Sequence, residues 1–220
     1  MGRTQEERRA ETRALLIESA ADLFAHKGFH ATSAEAVAAA AGRTSGALYD
    51  HFGGKDGLLV ALLELWIQQT IIEITASIED AVELDERLAA LWTGVVRQDS
   101  ASGDAWLLLE FELWLHAVRE PEMGRVGSQR FELMRSGLAG GLQEWSGEFG
   151  FDLPGPANEV AALVIGLLLG AAFQHRMEPA SVSQPAVVAG LRRLLGLQDL
   201  PPRPATTAVL AAATNKGMKP

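Results

Sequence analysis

Three side chains able to hold a phosphate lie close together in the stretch TSGALYDHFGGKDGL, residues 44–58: Tyr49, His51 and Lys55. A phenol and an imidazole donate hydrogen bonds, and an ammonium adds a point charge. None of them stands beside a nucleophile-and-base arrangement in the sequence, so binding is the chemistry this stretch suggests. Leu48 and Phe52 are four apart and share one helix face, which leaves Ser45, Tyr49 and Asp50 on the other. Small residues, Ser45, Gly46 and Ala47, open that helix and would let it sit deep against a partner. Thr44 can cap it, and Thr32 and Ser33 stand at the start of the preceding helix. Taken singly, each is explained as a cap or turn residue. Taken together, they are hard to explain by packing.

The elements that would position these groups read as helix after helix. Apolar positions Leu16, Ile17, Ala20, Leu23 and Phe24 fit a 3.6-residue period over 5–27, and Gly28 stops that helix. Thr32-Ser33-Ala34-Glu35 has capping-box spacing and opens a short helix over 34–41, ended by Gly42. Residues 33–52 therefore read as helix, tight turn, helix, the arrangement that lays its second helix in the major groove of DNA. After the break at Gly53-Gly54, a long helix runs from Lys55 to about Ser77. Further helices are expected over 85–98, 105–119, 122–148, 157–177 and 184–195, with the one over 122–148 broken in character by Gly137, Gly140 and Gly141. Residues 198–220 are rich in Pro, Ala and Thr and are expected to be a mobile tail. No repeat and no persistent strand pattern appears, so the fold class is all-α.

Composition narrows the function. The chain has no cysteine, which excludes thiolate chemistry and cysteine-based zinc sites. An all-α metalloenzyme would show Glu-x-x-His pairs, and the nearest match is Glu112 with His116, four apart. Neither a metal nor a cofactor is expected. Net charge is −9, and the whole of it falls on residues 56–220, because residues 1–55 balance seven cations against seven anions. An acidic body would repel nucleic acid and a neutral first segment could approach it. The charged N-terminus does not resemble a signal peptide, and the longest apolar run, 160–173, is short for a bilayer, so a cytoplasmic location is expected.

Residues 12–66 resemble the N-terminal DNA-binding domain of the TetR family of bacterial transcriptional regulators, through LIESAADLFAHKGFHATS, AVAAAAG and GALYDHFGGKDGLLVAL. The resemblance implies phosphate contacts at Tyr49, His51, Lys55 and either Thr32 or Ser33, and base-facing positions at Ser45, Gly46 and Ala47. Members often have a small apolar residue where Arg43 stands and a cation where Ser45 stands, so the cation here has moved two places earlier. Arg43 could reach a guanine or a phosphate. The resemblance further implies a DNA-binding domain over 1–54 and a helical ligand-binding and dimerisation domain over 55–197. A homodimeric repressor would then bind a palindromic operator, be released by a small hydrophobic effector, and work in the cytoplasm at the nucleoid. The candidate dimer surface is Val160, Leu163, Gly166, Leu167, Gly170, Leu191 and Leu194. Aromatic and soft residues that could line an effector pocket are Trp66, Trp106, Trp114, Phe131, Met134 and Phe173. Glu110 shares a helix face with Trp106 and Trp114 and could pair with Arg135 or recognise a cationic ligand. An effector-independent architectural DNA-binding protein is the alternative, and an all-α enzyme the more distant one.

Overall fold

The computed structural model describes residues 4–96 and 101–197. Among these there are nine helices and no strand: α1 (Gln5–Lys27), α2 (Ala34–Ala40), α3 (Ser45–Phe52), α4 (Lys55–Glu79), α5 (Leu84–Val96), α6 (Ala101–Arg119), α7 (Pro121–Phe149), α8 (Ala157–Met177) and α9 (Gln184–Leu194). The all-α expectation holds. The tail expected over 198–220 lies outside the described residues.

Local chemistry accounts for the breaks in the first three helices. Thr4 caps α1 in a reciprocal box with Glu7, and Gly28 ends it at φ 82°. The box expected at Thr32 and Glu35 is absent. The capping residue of α2 is Ser33, whose side chain accepts from Ala36 N, and Thr32 is instead 2% exposed with its hydroxyl donating to Gly28 O. Thr44 caps α3 by accepting from Ala47 N. Gly53, at φ 72°, turns the chain out of α3 into α4. These three helices close over Leu16, Phe24, Phe29, Val37 and Leu48, all 2% exposed or less. The start of α4 packs directly on the end of α3: a Cβ at Gly57 would lie 1.9 Å from Phe52 O, so no other residue fits there.

The body is built on α4. Its residues Leu58, Leu59, Leu62 and Leu63 are buried, and α4 packs against α1, α3, α5 and α6. Helices α6 and α7 form an antiparallel pair, α7 packs on α8, and α9 closes over α5 and α8. The break expected within α7 does not occur, and the helix is continuous through Gly137, Gly140 and Gly141. Each such glycine costs up to about 1 kcal/mol in helix propensity. The burial of Ala139, Leu142 and Trp145 along the same helix offsets it. By length and composition α4 and α8 are both apolar enough to cross a bilayer, unlike the shorter run read from the sequence. The same composition serves α4 as the central helix of a bundle.

Head and body meet at the turn between α1 and α2. Lys55 Nζ donates to Phe29 O (2.9 Å) and Thr32 O (3.0 Å) and sits 4.2 Å from the centre of the Phe29 ring. From α6, Glu112 accepts the Phe29 N–H at 2.9 Å, and His116 lies 3.7 Å from Asp56 at the start of α4. Removing the ammonium would take the donor from Thr32 O and leave Phe29 O with the Thr32 N–H at 3.3 Å. A hydrogen bond to a charged group contributes about 1.5–3 kcal/mol, and for a chain of this size each kcal/mol moves the unfolding midpoint by about 2–4 °C. Lys55→Met should therefore lower the midpoint in a thermal melt without DNA by roughly 4 °C or more. The exposed Lys27→Met serves as the control, and equal midpoints for the two variants would show that Lys55 does not hold the turn.

Candidate nucleic-acid interface and buried polar site

The helix–turn–helix presents one continuous face made from α2, α3 and the first turn of α4. Tyr49 is 52% exposed, and its ring lies over Gly54, where an added Cβ would come within 3.6 Å of Cε1. That contact packs one edge of the ring on the glycine turn, and the side chain stays exposed. Gly46 is exposed, while Ser45 and Ala47 are half-buried. No side chain caps α4, so its first backbone N–H groups remain for an external acceptor beside Tyr49. Ser33 and Thr44 are exposed at the starts of α2 and α3, although each hydroxyl accepts one backbone N–H.

Three of the expected contacts stand differently in the structure. Thr32 faces inward and has no surface to offer, so Ser33 is the only candidate of the two. Lys55 spends two of its three N–H donors on the α1–α2 turn. Arg43 donates through Nε to Thr12 (3.2 Å) and through a terminal nitrogen to Gly42 O (3.1 Å), which ties it to α1 rather than leaving it extended. Two residues are added to the face. Burial and the neighbouring charges of Arg9 and Arg13 hold the His51 pKa below its ordinary value, against a smaller opposing effect of Asp50. Arg13 also stacks over the Phe52 ring at 5.4 Å. Arg9 and Arg13 are one helical turn apart on α1, ahead of the LIESAADLF stretch that begins at Leu16.

Within the body, α6 and α7 enclose a polar cluster. Glu110 is fully buried and paired with Arg130, itself 7% exposed. The partner expected for Glu110, Arg135, bonds Glu132 on the surface instead. The expectation of a cationic ligand at Glu110 loses its ground with this pairing, because the carboxylate already has its cation. Burial raises the Glu110 pKa and the guanidinium opposes the rise. Four buried atoms around this pair have no hydrogen-bond partner among the described residues: Glu110 Oε2, Arg130 Nε, Trp106 Nε1 and Trp114 Nε1. Leaving one such group unpaired costs about 1–3 kcal/mol. Beside them, Trp114 lies at a shallow tilt against Phe131 (4.8 Å between centres) and meets Phe111 edge-on (5.2 Å), and Phe111 meets Phe173 at 5.0 Å. The structure thus joins Trp114, Phe131 and Phe173 by ring contacts through Phe111, with Trp106 and Glu110 buried on the same stripe of α6 as Trp114. Trp66 and Met134 are half-buried and share no ring contact with the cluster among the described residues. Arg130 and Phe111 were missed, although Arg130 immediately precedes Phe131.

The candidate association surface divides in two. Val160 and Leu191 are 3% and 0% exposed, so they belong to the core of the single chain. Leu167 packs towards α9, its Cδ1 lying 3.4 Å from where a Gly190 Cβ would stand, and Leu194 is half-buried. On the outer side of α8, Leu163 is 62% exposed, Phe173 39% and Met177 68%, with Gly166 and Gly170 exposed between them. These positions recur at three- and four-residue intervals and form an apolar stripe along the helix.

The model of the family described as "Bacterial regulatory proteins, tetR family" matches residues 16–62. The HTH-type transcriptional repressor KstR2 of Rhodococcus jostii (strain RHA1) is 28% identical over 134 residues, 60% of this chain and 65% of that protein. The uncharacterized HTH-type transcriptional regulator YuxN of Bacillus subtilis (strain 168) is 36% identical over 64 residues, 29% of this chain and 22% of that one. The chain thus spans less than two thirds of the length of either relative. The crystal structure of a Rhodococcus sp. protein assigned to the TetR family superposes with a TM-score of 0.68 at 21% identity, covering 85% of this chain and 96% of that one. That likeness extends the shared fold from the head through the body. The helix–turn–helix thus lies inside a segment, residues 16–62, that matches the tetR family of bacterial regulatory proteins, and the helical body shares its fold with a solved structure assigned to that family.

Proposed function

We propose that the chain is a DNA-binding transcriptional regulator: a homodimeric repressor that binds a palindromic operator in the bacterial cytoplasm and leaves it when a small hydrophobic effector binds the body. The observation that carries the DNA half is the outward face of α3, with Tyr49 exposed, small residues at its N-terminus and the uncapped start of α4 alongside. Tyr49, His51, Ser33 and the remaining N–H of Lys55 position the phosphates, and Ser45, Gly46 and Ala47 meet base edges. The apolar stripe on α8 supports the dimer. The buried, unpartnered groups beside Arg130 support the effector, since an architectural protein with a simply packed body would gain nothing by leaving them unpaired.

Selection from a random duplex pool should return an inverted repeat with half-sites about one helical turn, or a multiple of it, apart. Tyr49→Phe should weaken binding to that repeat and to unrelated duplexes alike, by about tenfold for one lost phosphate bond of roughly 1.4 kcal/mol. Unchanged affinity in gel-shift titrations would remove Tyr49 from the interface.

His51 supplies a prediction in pH. In the free protein its folded pKa is depressed, so the folded state loses stability as pH falls below the ordinary histidine value, about 6.5. A phosphate beside the ring has the opposite effect and raises the pKa in the complex. Binding then takes up a proton, and operator affinity should increase as pH falls from about 7.5 to 6. His51→Gln should flatten that dependence in titrations at constant ionic strength. A wild-type affinity independent of pH across this range would rule out a phosphate contact by His51.

For the dimer, Gly170→Trp places a large ring in the α8 stripe, where the single chain has no atom within 4 Å of the added Cβ. The variant should fold normally, sediment as a monomer at micromolar concentration and bind the inverted repeat far more weakly. Retention of the wild-type sedimentation coefficient and affinity would exclude this face of α8 from the contact.

A further inference from the structure

From the atoms left unpaired around Glu110 and Arg130, we infer that the body binds a hydrophobic molecule whose head carries a hydrogen-bond-accepting oxygen, a carbonyl or a carboxylate, and does not bind a cation. This inference rests on the effector half of the function proposed above and names the ligand class of that site.

The donor count sets the direction. An indole N–H and a guanidinium Nε–H can only donate, and an ionised carboxylate can only accept. Trp106 Nε1, Trp114 Nε1 and Arg130 Nε are therefore three donors without acceptors, against one acceptor without a donor, Glu110 Oε2. Trp106, Glu110 and Trp114 follow one another at single-turn intervals on the same stripe of α6, and Arg130 reaches that stripe from α7. A ligand oxygen here would meet donors from both helices. A cationic head would meet the Arg130 charge and three N–H groups of the wrong polarity, with only one oxygen of an already paired carboxylate to offset them. The apolar part of the ligand has a wall ready: Trp114 against Phe131 and edge-on to Phe111, with Phe173 beyond. Since Glu110 already neutralises Arg130, the site does not require a charged ligand, and a ketone or ester oxygen fits the donor set as a carboxylate does.

The test uses three probes with one aromatic body and different heads: phenylbutyrate, benzylacetone and phenylbutylammonium. Binding to the full chain is followed by thermal shift and calorimetry, and operator binding is measured in parallel. At least one of the two oxygen-headed probes should bind, at least tenfold more tightly than the ammonium compound, and the order of those two separates carboxylate from carbonyl. Trp106→Phe and Trp114→Phe keep the ring and remove the donor, so they avoid the misfolding risk of changing Arg130. Each should weaken the oxygen-headed probes several-fold and leave the ammonium compound where it was. Tighter or equal binding of phenylbutylammonium, no binding of either oxygen-headed probe, or wild-type affinity in both tryptophan variants would overturn the assignment. Operator binding separates the two levels. Selective, tryptophan-dependent binding that leaves operator affinity unchanged upholds the ligand class and sinks the effector reading. Operator affinity retained by a chain that binds neither oxygen-headed probe overturns the ligand class alone.

Discussion

Phe29 is the residue through which the head is attached to the body. Its N–H is taken by Glu112 of α6, its carbonyl by Lys55 of α4, and its ring lies under the Lys55 cation and against Phe24. Two body helices thus hold the two polar backbone groups of one buried head residue. Gly28, immediately before it, has positive φ, and a Cβ there would stand 3.5 Å from Glu112 Oε1. The turn, the helix packing and the orientation of α3 all follow from keeping this junction closed. An unpaired buried backbone group is costly enough that the junction behaves as one unit.

Helix α6 therefore serves two sites at once. Trp106, Glu110 and Trp114 lie along one side and face the polar cluster shared with α7. Glu112 and His116 project from the opposite side, as a 3.6-residue period requires, and hold Phe29 and Asp56. A ligand that wedges α6 away from α7 or rotates it acts on the Glu112–Phe29 bond without needing a chain of intermediates. The shift in DNA affinity is bounded by the ligand's preference for one setting of α6 over the other, and about 1.4 kcal/mol of preference corresponds to a tenfold change. For an effector that releases the protein from DNA, as proposed above, reciprocity makes operator DNA weaken the ligand by the same factor.

The fold was legible because its signals are local. Gly28 and Gly53 at helix ends, the Thr44 cap and the apolar period of α1 each act over a few residues. What misled were local signals that tertiary contacts override. The Thr32–Glu35 spacing suggested a capping box, but the Thr32 hydroxyl bonds Gly28 O inside the head. Gly140 and Gly141 suggested a break that the packing of Leu142 and Trp145 prevents. At the candidate sites the difficulty was partner choice. Glu110 and its flanking tryptophans stood out as a carboxylate on an aromatic face, yet whether Arg130 or Arg135 met it depended on how α7 is rotated against α6. Lys55 looked like a surface cation by position and proved to be a tie between elements. Composition cannot distinguish those two roles.

Charge distribution supplies a constraint that no single contact carries. The net −9 falls on residues 56–220, while the segment holding α1 to α3 is neutral and gathers Arg9 and Arg13 beside His51. A polyanion therefore meets repulsion over most of the surface and little over the head, so encounter is biased towards the productive orientation before any contact forms. The head lacks a large cationic excess, so it gains little from non-specific attraction to phosphate. In the homodimer proposed above, affinity then comes from well-placed groups on two heads held at a fixed separation. On that proposal the separation set by α8 and the junction at Phe29 control binding: with a weak electrostatic background, a small change in head geometry removes a large share of what holds the protein on DNA.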